Sequence, residues 1–259
     1  AAWRLTLASL VLAPFALTMR RAELRSLTRR EWALALGAGC LLAVHFATWI
    51  ISLSLTSVAA SVVLVAISPL FVGLASHLLL KERLTRPTSI GLIVAMVGSA
   101  VIGWGDLGEG SHRLLGDLLA LVGALAVAGY FLIGRRLRAR LSLLGYVFPV
   151  YATAAVVLMG AAALTRAPLT GYPASTWLWL LLLALGPQIV GHSSLNWALR
   201  HLTATYVTIA ALGEPLGSTL LAWLVLAEPP TLMAVVGGGL ILVGIVIASR
   251  SSGPQEAEP

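Results

Sequence analysis

Charged residues are scarce in this sequence: they make up only 10% of its 259 residues, whereas 59% of the residues are hydrophobic. So few charges cannot cover the surface of a water-soluble domain. The single cysteine, Cys40, excludes an intramolecular disulfide and any metal site built on paired cysteines. The composition therefore predicts an all-α polytopic membrane protein, because helices satisfy their own backbone hydrogen bonds in lipid.

Motifs that supply chemical energy or a reactive centre are also missing. The sequence contains no GxxxxGK[ST] phosphate-binding loop and no HExxH zinc motif. We therefore expect no cofactor and no bound metal. Any work that the protein does should draw on a gradient of ions or of solute.

Nine apolar stretches are present, and a helix needs about 20 such residues to cross a bilayer. They lie near residues 1 to 19, 32 to 52, 58 to 80, 87 to 104, 114 to 134, 144 to 164, 176 to 199, 203 to 226 and 231 to 249. Of the 17 basic residues, 14 fall in the connections on one side of the membrane. The positive-inside rule makes this side cytoplasmic. The net charge of +7 therefore indicates topology in an inner membrane rather than binding to nucleic acid.

Part of the sequence is repeated, since residues 67 to 98 match residues 213 to 244 at a shift of 146 residues. The shift pairs Pro69 with Pro215, Glu82 with Glu228, Gly91 with Gly237 and Gly98 with Gly244. The matching helices are five spans apart. Because five is an odd number, the two copies should cross the membrane in opposite directions.

This inversion predicts two inverted-topology repeats of five helices, residues 1 to 104 and 114 to 249, with nine spans present. The helix at 114 to 134 opens the second repeat, and its counterpart would precede residue 1. We therefore expect the first repeat to lack its first helix. Residues 250 to 259 are expected to form a disordered cytoplasmic tail.

Three stretches of the sequence resemble the EamA-type branch of the drug/metabolite transporter superfamily. They are WRLTLASLVLAPFALTMRR near the start, LLGDLLALVGALAVAGYFLIGRRL in the middle, and the Pro-to-Glu-to-Gly pattern of the two repeats. The resemblance covers nearly the whole chain. It implies a ten-helix carrier with both termini in the cytoplasm, which moves small metabolites, often outward. It leaves the substrate open among amino acids, nucleobases, cofactors and drug-like cations.

Glu214 lies near the midpoint of the predicted span 203 to 226. An ionisable side chain in hydrocarbon costs at least about 2.5 kcal/mol on insertion scales, so we expect Glu214 to face the helix bundle. Pro215 removes a backbone N–H and predicts a kink, as Pro69 does in the first repeat. Glu214 is therefore a candidate for proton coupling or for binding an ammonium group. The alternative is a protonated packing residue that bonds to a neighbouring helix.

Two pairs of polar residues are spaced four apart, which puts each pair on one helix face. They are His45 with Trp49 and His192 with Asn196. We expect these pairs to line a cavity between the repeats, although histidines that tie helices together by hydrogen bonds are the alternative. Tyr130, Tyr206, Ser68 and Ser218 complete the polar set in apolar surroundings.

Spaced glycines predict close helix contacts. They are Gly91 with Gly98, Gly237 with Gly244, and Gly213 with Gly217 in a GxxxG motif. Packing within one chain is the first interpretation, and a homodimer contact is the alternative.

Together these features predict a secondary transporter rather than an enzyme. We expect an exporter of small polar metabolites, such as amino acids, that works by alternating access, with protons as a candidate coupling ion. The alternative transporter is a lipophilic-cation or drug exporter, because an acid among aromatic residues suits a cation. An intramembrane enzyme would need convergent reactive groups, and GHSS at 191 to 194 has no partner acid nearby.

Overall fold

The computed structural model describes residues 1–56, 58–80, 84–104, 113–227 and 229–250. Within these ranges the chain forms helices joined by turns and loops, with no strand. The described α-helices are α1 Ala2–Met19, α2 Arg21–Arg25, α3 Arg29–Ser52, α4 Val58–Val65, α5 Ser68–Ala75, α6 Arg86–Trp104, α7 Arg113–Arg138, α8 Leu143–Leu164, α9 Ala174–Leu183, α10 Ser193–Ala198, α11 Ala204–Ala211, α12 Glu214–Leu226 and α13 Leu232–Ser249. Two π-helical segments continue α5 and α9: π1 covers Ser76–Leu80 and π2 covers Ala184–His192. Glu82, Glu228 and residues 251–259 lie outside the described residues.

Seven helical segments in the described ranges are long and apolar enough to cross a membrane. They are Ala2–Met19, Arg29–Ser52, Ala60–Leu80, Leu114–Arg138, Leu143–Leu164, Ala174–Ala198 and Leu232–Ser249. The expectation of an all-helical polytopic membrane protein is therefore confirmed. The count of nine spans is not confirmed, because the stretches at 87 to 104 and 203 to 226 are not among these seven segments. The first of them nevertheless forms one helix of 19 residues, α6.

The other stretch, predicted as one continuous helix over residues 203 to 226, is interrupted. Helix α11 ends at Ala211, and α12 begins at Glu214. Pro215 has no N–H to donate to the carbonyl of Ala211, so this helical hydrogen bond is missing at the break. The predicted span therefore consists of two helices, and Glu214 lies at a helix start instead of at mid-helix.

The same interruption occurs in the first repeat, between α4 and α5. Helix α4 ends at Val65 and α5 begins at Ser68, with Pro69 in its first turn, where a missing N–H costs nothing. Adding the shift of 146 to the bounds of α4 gives those of α11, and Ser68 becomes Glu214. The local structure therefore follows the sequence repeat.

The described chain forms two compact units. The first unit consists of Ala1–Ala47 and Gly129–His201, and the second of Thr48–Ala128 and Leu202–Pro259. Each unit takes helices from both predicted repeats. The repeat boundaries at 104 and 114 describe sequence similarity and stay a prediction.

In the first unit, α1 packs along α8, and α3 approaches α8 closely. A Cβ atom added to Gly39 of α3 would lie 2.5 Å from the Cβ of Thr153. Glu23 of α2 accepts hydrogen bonds from the backbone N and the Oγ of Ser142, both at 2.6 Å. This carboxylate therefore sits at the start of α8, where unpaired N–H groups favour negative charge.

In the second unit, α6 and α13 pack through glycines. A Cβ on Gly244 would lie 2.6 Å from the carbonyl oxygen of Gly91, and a Cβ on Gly98 would lie 2.5 Å from that of Gly237. The helices run antiparallel, since the earlier glycine of one meets the later glycine of the other. Under the shift of 146 the two contacts are equivalent to each other.

The GxxxG motif has no such contact in the described chain. Nothing lies within 4 Å of a Cβ added to Gly217, and Gly213 would meet mainly the carbonyl oxygen of Ala210, in the preceding turn, at 3.1 Å. The expectation of close packing at Gly213 and Gly217 is therefore wrong for the described residues.

Candidate functional site

Segment π2 shapes the candidate site in the first unit. Pro187 lies inside it and cannot donate to the carbonyl of Leu183, and the chain adopts the wider π turn around this point. Such turns are rare in proteins, and those that occur are often found at functional sites. Here they carry Gln188, which is fully buried, and end at His192.

Arg4, in the first turn of α1, reaches this segment. Its Nε donates a hydrogen bond to Oε1 of Gln188 at 2.9 Å. Its guanidinium carbon lies 4.6 Å from the centroid of the Phe46 ring, within the range of a cation–π interaction. A neutral amide and an aromatic face therefore both contact a positive charge inside the unit.

Aromatic rings and imidazoles surround Phe46, which is buried on α3. Its ring centroid lies 5.1 Å from that of His45 and 5.4 Å from that of His192. The Tyr130 ring, on α7, is 6.3 Å from His192. Both predicted histidines thus pack on the same phenylalanine.

Asn196 of α10 is fully buried and joins three elements by hydrogen bonds. Its Nδ2 donates to Oη of Tyr130 and, at 2.6 Å, to the carbonyl oxygen of His192. The backbone carbonyl oxygen of Asn196 accepts a hydrogen bond from Nε of the buried Arg138 at 2.9 Å. The predicted pair His192 and Asn196 is in direct contact.

Tyr151 of α8 extends these contacts toward a cavity. Its hydroxyl lies 3.2 Å from Oγ of Ser193 and donates to the carbonyl oxygen of Gln188 at 3.5 Å. Ser193 also lines a cavity of ≈310 Å³, together with residues of α1 and α8 such as Leu12 and Val147. Tyr151 therefore contacts a residue that lines an opening in the first unit.

Three buried polar atoms in this region have no hydrogen-bond partner within the described part of the chain: Nε2 of Gln188, Nδ1 of His192 and Oδ1 of Asn196. A buried polar group left unsatisfied costs about 1 to 3 kcal/mol. Several such atoms together mark a place where a polar ligand or water can bind. We call Arg4, Tyr130, Tyr151, Gln188, His192 and Asn196 the polar cluster.

The other predicted site residues belong to the second unit. Trp49 and Tyr206 are half-buried there, and Ser68 is buried at the start of α5. Pro215 and Ser218 belong to α12, and their side chains lie outside the described set. The expected cavity between the repeats stays a prediction.

Glu214 is the first residue of α12, and its side chain is exposed. We expected a bundle-facing, buried carboxyl group at mid-helix. The break after Ala211 changes this, because it places the carboxyl group beside the unpaired N–H groups of a helix start. The positive end of the helix dipole stabilises an acid at this position.

The sequence also contained signals for residues that we did not predict. Gln188 follows Pro187 inside an apolar span, just as Glu214 precedes Pro215. A search of the spans for polar residues beside a proline would have identified Gln188 as well as Glu214. Arg4 and Phe46 carried no comparable signal, since a single basic residue near a span end normally faces the interface.

Metal ligands are not grouped in the described residues, where no set of three or more His, Cys, Asp or Glu side chains is placed to hold an ion. The polar cluster is composed of amide, phenol, imidazole and guanidinium groups. Such groups suit hydrogen bonding to an organic solute.

Residues 1–104 and 114–250 match the model of the EamA-like transporter family. The chain belongs to this family. An uncharacterized transporter of Archaeoglobus fulgidus is 28% identical over 194 residues, which are 73% of this chain and 66% of that protein. The pseudopaline exporter CntI of Pseudomonas aeruginosa is 29% identical over 240 residues, which are 91% of this chain and 81% of that protein.

A solved crystal structure has the same fold as this EamA-like chain. The two superpose with a TM-score of 0.82 over 97% of this chain and 86% of the other, at 21% sequence identity. At this identity the likeness concerns the fold alone.

Proposed function

We propose that this EamA-like transporter is a secondary exporter of small polar metabolites, such as amino acids, that works by alternating access in the cytoplasmic membrane. The main support for this substrate class is the polar cluster, which has three unsatisfied polar atoms beside aromatic rings. A pocket for a small polar solute needs a few convergent polar groups within apolar walls. The relative named as a pseudopaline exporter supports outward transport.

Glu214 is the proposed coupling residue. Broken helices in transporters place half-helix ends at the substrate and ion sites. The break before Glu214, repeated before Ser68, supports such a role for an exposed carboxyl group at the start of α12. Protons are the proposed coupling ion, because a carboxyl group can bind and release a proton during each transport cycle.

The proposed topology places the C-terminus in the cytoplasm, as the distribution of basic residues indicates. The two proposed oligomeric states are a monomer and a homodimer. The glycines of α6 and α13 pack against each other within one chain, so they do not support the dimer.

Replacing Glu214 with Gln tests the coupling role. We expect Glu214→Gln in proteoliposomes to lose acceleration of amino-acid transport by a proton gradient, because the amide cannot take up the proton. Glu214→Asp keeps the carboxyl group and serves as the matched control. If Glu214→Gln transports at the wild-type rate with the wild-type pH dependence, the coupling role is refuted.

The drug-exporter alternative can be tested in cells. A carrier of amino acids should protect against toxic amino-acid analogues, whereas an exporter of lipophilic cations should protect against cationic dyes. The guanidinium of Arg4 within the polar cluster favours the first outcome, because it repels a cationic solute. Protection against the dyes alone would replace the proposal with its rival.

A further inference from the structure

Gln188 points its oxygen at Arg4, and this orientation follows from chemistry. A guanidinium carries five N–H donors and no acceptor, so only the amide oxygen of Gln188 can accept from its Nε. The amide nitrogen is bonded to the same carbon atom as this oxygen, so it lies next to the hydrogen bond with Arg4 without taking part in it. It is buried, and in the described chain it has no hydrogen-bond partner.

Arg4 and Gln188 thus both offer N–H hydrogen-bond donors in the same part of the first unit. Arg4 contributes positive charge, and Gln188 contributes two N–H donors on a fully buried side chain. A carboxylate complements this pair, because it accepts hydrogen bonds only and carries negative charge. An ammonium group would face donors and a like charge.

Gln188, His192 and Asn196 follow one another at intervals of four residues, so they lie along one face of the segment formed by π2 and α10. Each has one unsatisfied buried polar atom. The first is a donor beside Arg4, and the last, Oδ1 of Asn196, is an acceptor. The row therefore has one end that donates hydrogen bonds and one end that accepts a hydrogen bond.

We propose that Arg4 and Gln188 bind a carboxylate of the transported solute, so that the carrier handles acids and zwitterions and rejects their neutral or cationic derivatives. This inference rests on the proposed function, since it assigns the substrate class of the same polar cluster.

The test uses the purified full chain in detergent. Thermal unfolding would be followed in the presence of L-amino acids, dicarboxylic acids, the carboxamides of the same compounds and the corresponding decarboxylated amines. We expect at least one acid to bind about tenfold or more tightly than its carboxamide, as the loss of a charge-assisted bond implies. Equal shifts by acid and carboxamide, or no shift by any acid, would overturn the proposal.

Variants locate the effect. Arg4→Gln and Gln188→Met should each remove the preference for the acid, whereas Arg166→Gln should keep it. Arg166 is a matched control, because it is an exposed arginine of the same unit. If Arg4→Gln does not fold, the proposal is still tested by Gln188→Met and by the ratio of the wild-type affinities for an acid and its carboxamide. A preference that persists in a folded Arg4→Gln or Gln188→Met variant contradicts the assignment.

Transport in proteoliposomes separates this inference from the proposed function. Wild-type transport of amines or carboxamides but not of acids would refute the carboxylate site and leave a transporter of polar metabolites. Absence of transport for every compound in the panel would refute the proposed function itself.

Discussion

Single residues in the polar cluster combine burial with incomplete hydrogen bonding. Nδ1 of His192 is buried without a partner in the described chain, although the ring packs on Phe46 and lies near Tyr130. An unsatisfied buried atom destabilises the folded protein, by about 1 to 3 kcal/mol. A protein tolerates such a cost where the atom serves binding, so stability and transport should respond oppositely to its removal.

We therefore predict that His192→Phe leaves the melting temperature unchanged or raises it, while it reduces amino-acid transport about tenfold or more. Phenylalanine retains the ring contacts and removes the unsatisfied nitrogen. The matched control is His201→Phe, because His201 is exposed and its ring lies 4.8 Å from Trp197. A fall in stability with normal transport would indicate that His192 is only a structural tie.

Helices and their breaks were partly predictable from the sequence. Apolar length located the long helices, such as α3 and α8, because crossing lipid requires about 20 apolar residues. It failed at α11 and α12, since the stretch is long and mostly apolar despite Glu214, and only Pro215 indicates the break. The pair of His192 and Asn196 followed from helical spacing, whereas the Arg4 contact joins residues 184 apart in sequence and has no local signal.

At the contact of α6 with α13, we predict that Gly91→Ala destabilises the protein. The added methyl group would collide with the carbonyl oxygen of Gly244, and overpacking of this kind costs about 1 to 3 kcal/mol. Thermal unfolding in detergent measures the effect. Gly217→Ala is the matched control and should be neutral or stabilising, since nothing lies within 4 Å of the added atom. Equal melting temperatures for both variants would contradict the contact.

The whole molecule has a topology that its basic residues predict and that labelling can test. Cys40 is the single cysteine, and it is exposed, so it must first be replaced by Ser. In that background we expect Ser252→Cys to react with a membrane-impermeant maleimide only after cells are opened. Thr170→Cys, in the connection between α8 and α9, should react in intact cells. The opposite labelling pattern would reverse the proposed orientation.

The antiparallel glycine contact also means that each half of the chain carries a surface complementary to itself. Gly91 and Gly98 are the counterparts of Gly237 and Gly244, and each early glycine meets the late one of the other copy. A methyl group added to Gly91, Gly98 or Gly244 would meet the backbone of the opposite copy. Because the approach is between backbones, no change of side-chain rotamer relieves the clash, and the glycine positions are constrained as one set.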